Sequence, residues 1–551
     1  MTFETIHSQE YIEKNIRLGY WPNRTICDYL DDITAKHPEK EALVDKKSRY
    51  SYGQIKEITD RMALGFLELG IEKGDVVSFQ LPNWNEFIFI YLALCKIGAV
   101  SNPIIPIYRA SEVRFMVNFL QSKIMIIPSE FRKFSYTEMM EELRKELPSL
   151  QRIMVLGKEI PKGMHSFQDF METPWEKKRD LKELAGRRPG PNEVNEIIFT
   201  SGTTGEPKGV MHTQNTILTP LLAVSKALEF TDKDVILMSS TFGHQTGWMY
   251  GVNLPLLLGA KGVYLDIWEP REALTLIRRE GVTFTMGATP FLSDLTYSPH
   301  LNKEDVRSLR IFIAAGAAIP RQLVRDARQN LNCAICAGWG MTENALVTVN
   351  KLNDPEEKIC ETDGYPLPGM EIKVIDEQGD DLLPGSEGDL LCRGPFTFAG
   401  YYKRPQFNKD SFWKDGWFKT GDRAVIDREG YLAITGRSKD IIIRGGENIP
   451  VAEVENILYK HPKINNVTIV AMPDERFQEK ACAFVILKEG EHLTFQEMIA
   501  YLETQAIAKQ KYPERLEIIQ EFPMTPSGKI QKFKLRERIT ELLKKGKGEN
   551  R

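Results

Sequence analysis

The sequence has few cysteines, no long apolar run and no excess of one charge. Its 551 residues include seven cysteines, an odd number scattered along the chain, so a disulfide framework is not expected. The longest notable apolar run, Phe87 to Cys95, is about half the length of a membrane-spanning helix. The net charge is -4, and the two signs are interspersed, which gives no broad basic face for nucleic acid. Residues 1–20 lack the apolar core of a secretory signal, so we expect a cytoplasmic protein.

One cysteine pair, Cys333 and Cys336, has the C-x-x-C spacing of redox and zinc sites. No second pair or nearby histidine completes a set of zinc ligands. The surrounding small apolar residues, 332–337, are typical of a buried strand. We therefore interpret the pair as structural.

The order of apolar segments predicts several packed units. From Tyr50 to about Met286, strand-like and helix-like stretches alternate, which indicates α/β units around mainly parallel sheets. Between Gly369 and Asp427 the strands become short and rich in Gly, Pro and Asp, as in a compact β subdomain. Residues 431–435 and 440–443 then predict a hairpin, followed by a helix that starts near Pro450. We place a domain boundary here, with domains 1–436 and 437–551.

The segment Thr200 to Gly209 has the chemistry of a polyphosphate-binding loop. Its glycines allow backbone N–H groups to converge on an anion, its hydroxyls add donors, and Lys208 adds a positive charge. A proline precedes that lysine and a glycine follows it, so the spacing does not fit the Walker pattern. The sequence therefore predicts a nucleotide loop of another class.

Four later segments also place glycine beside a functional group: Gly338 to Glu343, Trp417 to Asp422, Gly436 to Asp440 and Pro523 to Ile530. Together and in this order, they resemble the motifs of the adenylate-forming superfamily, which includes acyl-CoA synthetases, adenylation domains of peptide synthetases and beetle luciferases. The resemblance covers nearly the whole chain. It implies an α/β fold, with a large N-terminal domain of two α/β subdomains plus a β subdomain, and a small α+β C-terminal domain that rotates over the active site.

The resemblance also implies roles for individual residues, beginning with ATP. The phosphates would lie against Thr200, Ser201, Gly202, Thr203, Thr204, Gly205 and Lys208. Thr342 would bind phosphate and Glu343 would bind Mg²⁺. Adenine would be enclosed by Gly316-Ala317-Ala318 and by residues 338–340, in which Trp339 takes the place of the family's usual tyrosine. Asp422 and Arg437 would hold the ribose.

The same resemblance implies two half-reactions. Lys529 would stabilise the charge that develops when a carboxylate attacks the α-phosphate of ATP. The C-terminal domain would then rotate about Lys439 and bring Gly445 and Gly446 to the site, where coenzyme A takes the acyl group. The expected product is a thioester, together with AMP.

The acid is expected to lie against residues 241–251, Gly316 and residues 338–346, with Gln245, Trp248, Met249 and Gly340 in its pocket. His244 either gates and orients the carboxylate or is simply a packed histidine. The absence of Asp and Glu from 241–251 argues against an α-amino acid. The pocket looks most like those of bacterial ligases for short- or medium-chain fatty acids or cyclohexanecarboxylate. The alternatives are an aryl-acid AMP ligase and a stand-alone adenylation protein that loads a carrier protein. The sequence leaves the oligomeric state open, a homodimer included.

Overall fold

The structure is a computed structural model. It describes residues 3–200, 207–316, 319–437, 442–444, 447–449, 451–474, 478–505, 509–525 and 529–548, without the side chains of 437, 443, 447, 448, 478, 510 and 545–548. In these ranges no helix is long and apolar enough to cross a membrane.

The larger of two central sheets joins the beginning of the chain to its middle. Its inner strands are parallel and buried on both faces, which explains their continuous apolar sequences. In spatial order its nine described strands are Tyr365–Pro366, Ala345–Val349, Ala334–Met341, Ile311–Ala314, Phe284–Gly287, Val235–Met238, Lys261–Tyr264, Glu41–Val44 and Arg49–Ser51. The strand predicted over residues 332–337 is part of it as Ala334–Met341, which contains Cys336 and begins directly after Cys333; burial raises the pKa of both thiols to about 12.

The second central sheet carries the predicted phosphate loop at its edge. The described strands, in order, are Lys208–Thr213, Val194–Thr200, Val100–Pro103, Val76–Phe79, Ile124–Pro128, Arg152–Leu156 and His165–Ser166. All neighbours are parallel except the first pair, which is antiparallel. The helix Asn85–Ile97 packs behind this sheet; it is buried on nearly every side and ends at Gly98 in the left-handed conformation.

Two smaller sheets follow. The antiparallel strands Glu371–Ile375, Glu387–Arg393, Phe418–Ile426 and Leu432–Arg437 form the predicted β subdomain. The last sheet contains Glu447–Ile449, Ile442–Arg444, Gln478–Leu487, Ile464–Asp474 and Arg515–Ile518. The predicted hairpin of 431–435 with 440–443 is wrong, because Leu432–Arg437 pairs with Phe418–Ile426 whereas Ile442–Arg444 pairs with Glu447–Ile449 and Gln478–Leu487. The boundary at 436/437 stays a prediction.

The α-helices cover the sheets. In the described part of the chain they are Gln9–Arg17, Ile26–Lys36, Tyr52–Glu68, Asn85–Ile97, Ala110–Leu120, Tyr136–Leu143, Phe167–Glu172, Gln214–Ala227, Leu254–Leu258, Pro270–Glu280, Thr289–Thr296, Arg321–Leu331, Glu356–Glu361, Pro405–Asp410, Val451–Tyr459, Phe495–Glu503 and Lys532–Gly548. Residues Gly247–Asn253 form a π-helix, a geometry that is frequent at functional sites.

Candidate active site

The predicted phosphate loop joins two antiparallel strands, with Thr200 opposite Lys208. Both ends of the loop are therefore held by one edge of the second sheet. The ammonium nitrogen of Lys208 lies 4.9 Å from the ring centre of Tyr401 and 4.7 Å from that of Phe407, within the range of cation–π attraction. The predicted ligands Ser201, Gly202, Thr203, Thr204 and Gly205 lie outside the described residues.

Thr342 and Glu343 follow the strand Ala334–Met341, and contacts from distant segments hold them. The imidazole Nε2 of His212 is 2.8 Å from the Thr342 carbonyl, and the Phe398 amide donates to the Glu343 carbonyl at 2.8 Å. Burial lowers the pKa of His212 to about 4, so at neutral pH the ring is uncharged and its Nε2–H donates to that carbonyl.

The Glu343 carboxylate accepts a hydrogen bond from the Tyr401 hydroxyl at 2.8 Å. Tyr401 also contacts Lys208, so it connects the phosphate loop to this carboxylate. Neither Tyr401 nor His212 was identified from the sequence. Tyr401 follows Gly400, and His212 follows Met211. Neither local pattern indicates that the residue supports a side chain of the candidate site.

The donor set around Glu343 fits a cation that takes most of its ligands from elsewhere. Among the described residues no group of three or more Asp, Glu, His or Cys side chains could hold a metal ion. Mg²⁺ commonly binds through one or two carboxylates, water and the phosphates of a nucleotide. Glu343 would supply the carboxylate, and its Tyr401 partner would fix the direction in which that carboxylate points.

Trp339 and Asp422 come from different sheets and meet directly. The indole Nε1–H donates to Asp422 Oδ2 at 2.8 Å, and the two residues are 7% and 8% exposed. The Asp422 amide donates to Thr420 Oγ1 at 3.1 Å. Arg437 is opposite Asp422 in the strand register, and its side chain lies outside the described part of the chain, so the role that the two residues would share stays a prediction.

Lys529 lies beside Gly316, so the structure brings the far end of the chain to the large domain. A side-chain carbon on Gly316 would be 3.7 Å from Lys529 Cε, and Gly316 has a φ of +87° that disfavours any other residue. The Lys529 amide donates to Thr525 Oγ1 at 2.9 Å, and its carbonyl accepts from the Thr525 amide. Ala317 lies outside the described residues, as do Lys439, Gly445 and Gly446.

His244 is near Lys529 and is uncharged at neutral pH. Burial lowers the pKa of His244 to about 3, and the positive charge of Lys529 contributes to this shift. The Thr246 amide donates to His244 Nδ1 at 3.3 Å, so the proton of the neutral ring is on Nε2. The side chain can therefore donate one hydrogen bond from Nε2.

The predicted residues of the acid pocket lie in the π-helix Gly247–Asn253, in the segment directly before it, and at Gly340. Gln245 is 4% exposed, and neither atom of its amide has a hydrogen-bond partner among the described residues. Trp248 and Met249 are fully buried; the Trp248 ring packs 4.5 Å from Tyr91, centre to centre, so at least one side of it belongs to the core. Gly340 is required by close packing of strands, since a side-chain carbon there would be 2.0 Å from the Ala345 carbonyl oxygen.

Glu196 is a third residue, after Tyr401 and His212, that was not identified from the sequence. It lies in the strand that leads to Thr200 and is fully buried. Neither carboxyl oxygen has a hydrogen-bond partner of ordinary geometry, although the Trp248 indole approaches the group. Burial raises the pKa of Glu196 well above its usual value, so we infer a protonated carboxyl group.

The family model of AMP-binding enzymes matches residues 30–402, and that of the AMP-binding enzyme C-terminal domain matches residues 453–529. The chain belongs to the AMP-binding enzyme family. This AMP-binding enzyme is 39% identical to a medium-chain fatty-acid–CoA ligase of Escherichia coli K12, over 95% of this chain and 91% of the relative. It is 32% identical to a 2,3-dihydroxybenzoate-AMP ligase of Bacillus subtilis 168, over 98% of both chains.

A solved structure has the same fold. ATP-bound MatB from Rhodopseudomonas palustris superimposes with a TM-score of 0.84 at 26% identity, covering 94% of this chain and 100% of that one. These matches confirm the resemblance to adenylate-forming acyl-CoA synthetases and the expected fold of this AMP-binding enzyme. Acyl-CoA and aryl-acid ligases both match it, so the acid is not decided. The roles given to individual site residues stay predictions.

Proposed function

We propose that this AMP-binding enzyme is an acid:CoA ligase that activates a small or medium aliphatic or alicyclic carboxylic acid. The observation that carries the proposal is the position of Lys529 beside Gly316 and His244. A cation at this point lies between the predicted adenine wall and the predicted acid pocket. It would therefore act where the carboxylate meets the α-phosphate.

In the first half-reaction a carboxylate oxygen of the acid attacks the α-phosphorus of ATP. The bond from that phosphorus to the bridging oxygen breaks, and pyrophosphate leaves with the bonding electrons. Lys529 reduces the repulsion between the two anions, chiefly in the transition state. Lys208 and the loop after Thr200 hold the leaving pyrophosphate. Glu343 would hold Mg²⁺, which would neutralise part of the charge on the pyrophosphate.

In the second half-reaction the sulfur of coenzyme A attacks the acyl carbon of the adenylate. The bond from that carbon to the phosphate oxygen breaks, AMP leaves, and the thiol proton passes to solvent. His244, with its proton on Nε2, would donate a hydrogen bond to the acid in either step. Rotation of the C-terminal domain would take the enzyme from the first half-reaction to the second. It would depend on Lys439, Gly445 and Gly446.

A neutral acid tail suits the residues around the predicted pocket. Residues 241–251 contain no carboxylate that could pair with an amino group. Trp248 and Met249 are fully buried apolar side chains, whereas Gln245 has a buried amide without a hydrogen-bond partner among the described residues. This amide supports the second candidate, an aryl-acid AMP ligase, because a ring hydroxyl could satisfy it.

The first test is acid-dependent exchange of pyrophosphate into ATP, followed by AMP release with and without coenzyme A. The panel contains C3 to C12 acids, alicyclic acids and hydroxybenzoates. Exchange with aliphatic or alicyclic acids and thioester formation support the proposal. Exchange with hydroxybenzoates alone supports the second candidate, whereas exchange without thioester formation favours carrier-protein loading. No exchange with any acid contradicts all three functions.

The Lys529→Ala substitution tests the proposed mechanism. It should lower adenylation about a hundredfold or more, yet leave the conversion of supplied acyl adenylate and coenzyme A to thioester. Lys534→Ala is the matched control, because Lys534 is an exposed lysine on the adjacent helix. An equal loss in both half-reactions would show that Lys529 does not act in adenylation alone.

A further inference from the structure

The hydrogen bond between Trp339 and Asp422 joins two parts of the proposed nucleotide site. Trp339 lies in the strand Ala334–Met341 of the nine-stranded sheet, and Asp422 lies in Phe418–Ile426 of the β subdomain. The residues are 83 positions apart, and their side chains meet at 2.8 Å in a buried environment. This is therefore a contact between subdomains and not a local turn.

An indole N–H can only donate a hydrogen bond, and this restricts what Trp339 can do. A tyrosine hydroxyl, by contrast, both donates and accepts and can rotate its proton toward another group. The acceptor for Trp339 is a carboxylate oxygen, and a buried carboxylate is costly unless hydrogen bonds stabilise it. The indole N–H consequently stabilises the carboxylate of Asp422 and limits its rotation.

We propose that Trp339 is a positioning residue, whose indole N–H orients the Asp422 carboxylate toward the ribose hydroxyls of ATP. The inference rests on the proposed function, in which Asp422 holds the ribose. It assigns Trp339 a role in addition to covering adenine, and links recognition of the base and the sugar through one side chain. Loss of the N–H then weakens binding of the ribose hydroxyls, even where an aromatic ring is kept.

The test compares Trp339→Phe with the unchanged protein in equilibrium binding of ATP and of 2′,3′-dideoxy-ATP, measured by calorimetry. Phenylalanine keeps an aromatic face but has no N–H. The substitution should weaken ATP binding about tenfold, consistent with the loss of a hydrogen bond to a charged group. It should change binding of the dideoxy nucleotide less than about twofold, because that ligand has no ribose hydroxyls for Asp422. Equal weakening of both nucleotides would overturn the proposal.

Trp417→Phe is the matched control. Trp417 is a buried tryptophan, as Trp339 is. It lies in the β subdomain, where it packs with Ile375 and Leu391. This variant should keep the preference for ATP over the dideoxy nucleotide. The double variant Trp339→Phe/Asp422→Asn should show the same preference as Asp422→Asn alone, since the indole acts through Asp422. A further loss of the preference for ATP in the double variant would show that the indole does not act through Asp422.

Two features of the experiment ensure that its result either supports or overturns the role proposed for Trp339. Should Trp339→Phe fail to fold, Trp339→Tyr takes its place: its hydroxyl is at the far end of the ring, so the preference for ATP should fall at least threefold. An unchanged preference would overturn the proposal. Because binding is measured without an acid or coenzyme A, it also tests Trp339 separately from the overall reaction. A protein that discriminates the nucleotides as expected but activates no acid would retain this inference and contradict the proposed function.

Discussion

Replacing Glu196 by glutamine should stabilise the protein increasingly as pH rises above about 4.5. Glu196 is fully buried in the strand Val194–Thr200, and no hydrogen bond of ordinary geometry reaches its carboxyl oxygens from the described residues. Burial raises its pKa well above the ordinary value of 4.5, and the approach of the Trp248 indole opposes that shift only in part. Glutamine has nearly the same shape and stays uncharged at every pH.

The magnitude follows from proton binding in the two states. Above pH 4.5 the unfolded chain releases the proton of Glu196, whereas the folded protein keeps it up to the raised pKa. Over that interval the free energy of unfolding of the natural sequence falls by about 1.4 kcal/mol per pH unit relative to the glutamine variant. Below pH 4.5 both states bind the proton, so the difference is constant there.

The assay is urea unfolding of both proteins at half-unit steps from pH 4 to pH 8.5, and the informative quantity is the slope of their difference. Glu280→Gln is the control, because Glu280 is also buried but is paired with Arg49 and Lys261. These pairings hold the pKa of Glu280 at about 2 although burial opposes the shift. The contribution of the Glu280 carboxylate to the free energy of unfolding is complete above pH 4.5 and is lost as pH falls toward 2. The control should therefore be destabilised by a constant amount from pH 5 to pH 8.5.

Parallel curves for Glu196→Gln and the natural sequence would refute the reasoning. They would mean that the Glu196 carboxyl is ionised in the folded protein, with a group nearby that stabilises its charge. A slope of the predicted sign that levels off within the range would instead locate the native pKa of Glu196.

Two predictions concern the site itself. Tyr401→Phe should raise the Mg²⁺ concentration needed for half-maximal pyrophosphate exchange about tenfold, because Glu343 loses the donor that orients it; a Mg²⁺ titration checks this, and an unchanged midpoint would exclude such a role. His244→Asn should lower exchange by a factor that is the same from pH 5 to pH 8, since the His244 pKa of about 3 keeps the ring neutral throughout; a factor that changes near pH 6.5 would show that the imidazole titrates in the reaction.

Much of the fold could be predicted because local pattern determines the type and place of a strand. The short strands expected between Gly369 and Asp427 are present as Glu371–Ile375, Glu387–Arg393 and Phe418–Ile426, and the buried strand expected over residues 332–337 is present as Ala334–Met341. Local pattern does not determine which strands pair. Leu432–Arg437 and Ile442–Arg444 are close in sequence, and the intervening turn residues favoured a hairpin, but each strand has its partner in a different sheet.

In the candidate site, too, local pattern reveals some residues and not the distant partners that support them. Glycine-rich turns and charged residues gave Lys208, Glu343 and Asp422 from the sequence. Their supporting partners depend on distant segments, so no motif could reveal that Tyr401 donates to Glu343 or that Trp339 donates to Asp422. Glu196 was missed for a different reason: polar residues at the beginning of an apolar strand usually face solvent, and only the burial and the sheet order show that this one is enclosed.

The supporting contacts imply that the predicted Mg²⁺ site and the predicted ribose site each depend on a separate supporting residue. Tyr401 acts on the carboxylate predicted to hold Mg²⁺, and Trp339 acts on the carboxylate predicted to hold the ribose. These two contacts share no residue, so their substitutions should add in free energy when ATP binding is measured. Lys529 comes from the C-terminal part of the chain and has no part in either contact as described. If its role is confined to adenylation and the C-terminal domain rotates as proposed, changes at Tyr401 and Trp339 should alter nucleotide binding in both proposed orientations of that domain. A change at Lys529 should then affect only the orientation in which Lys529 is beside Gly316.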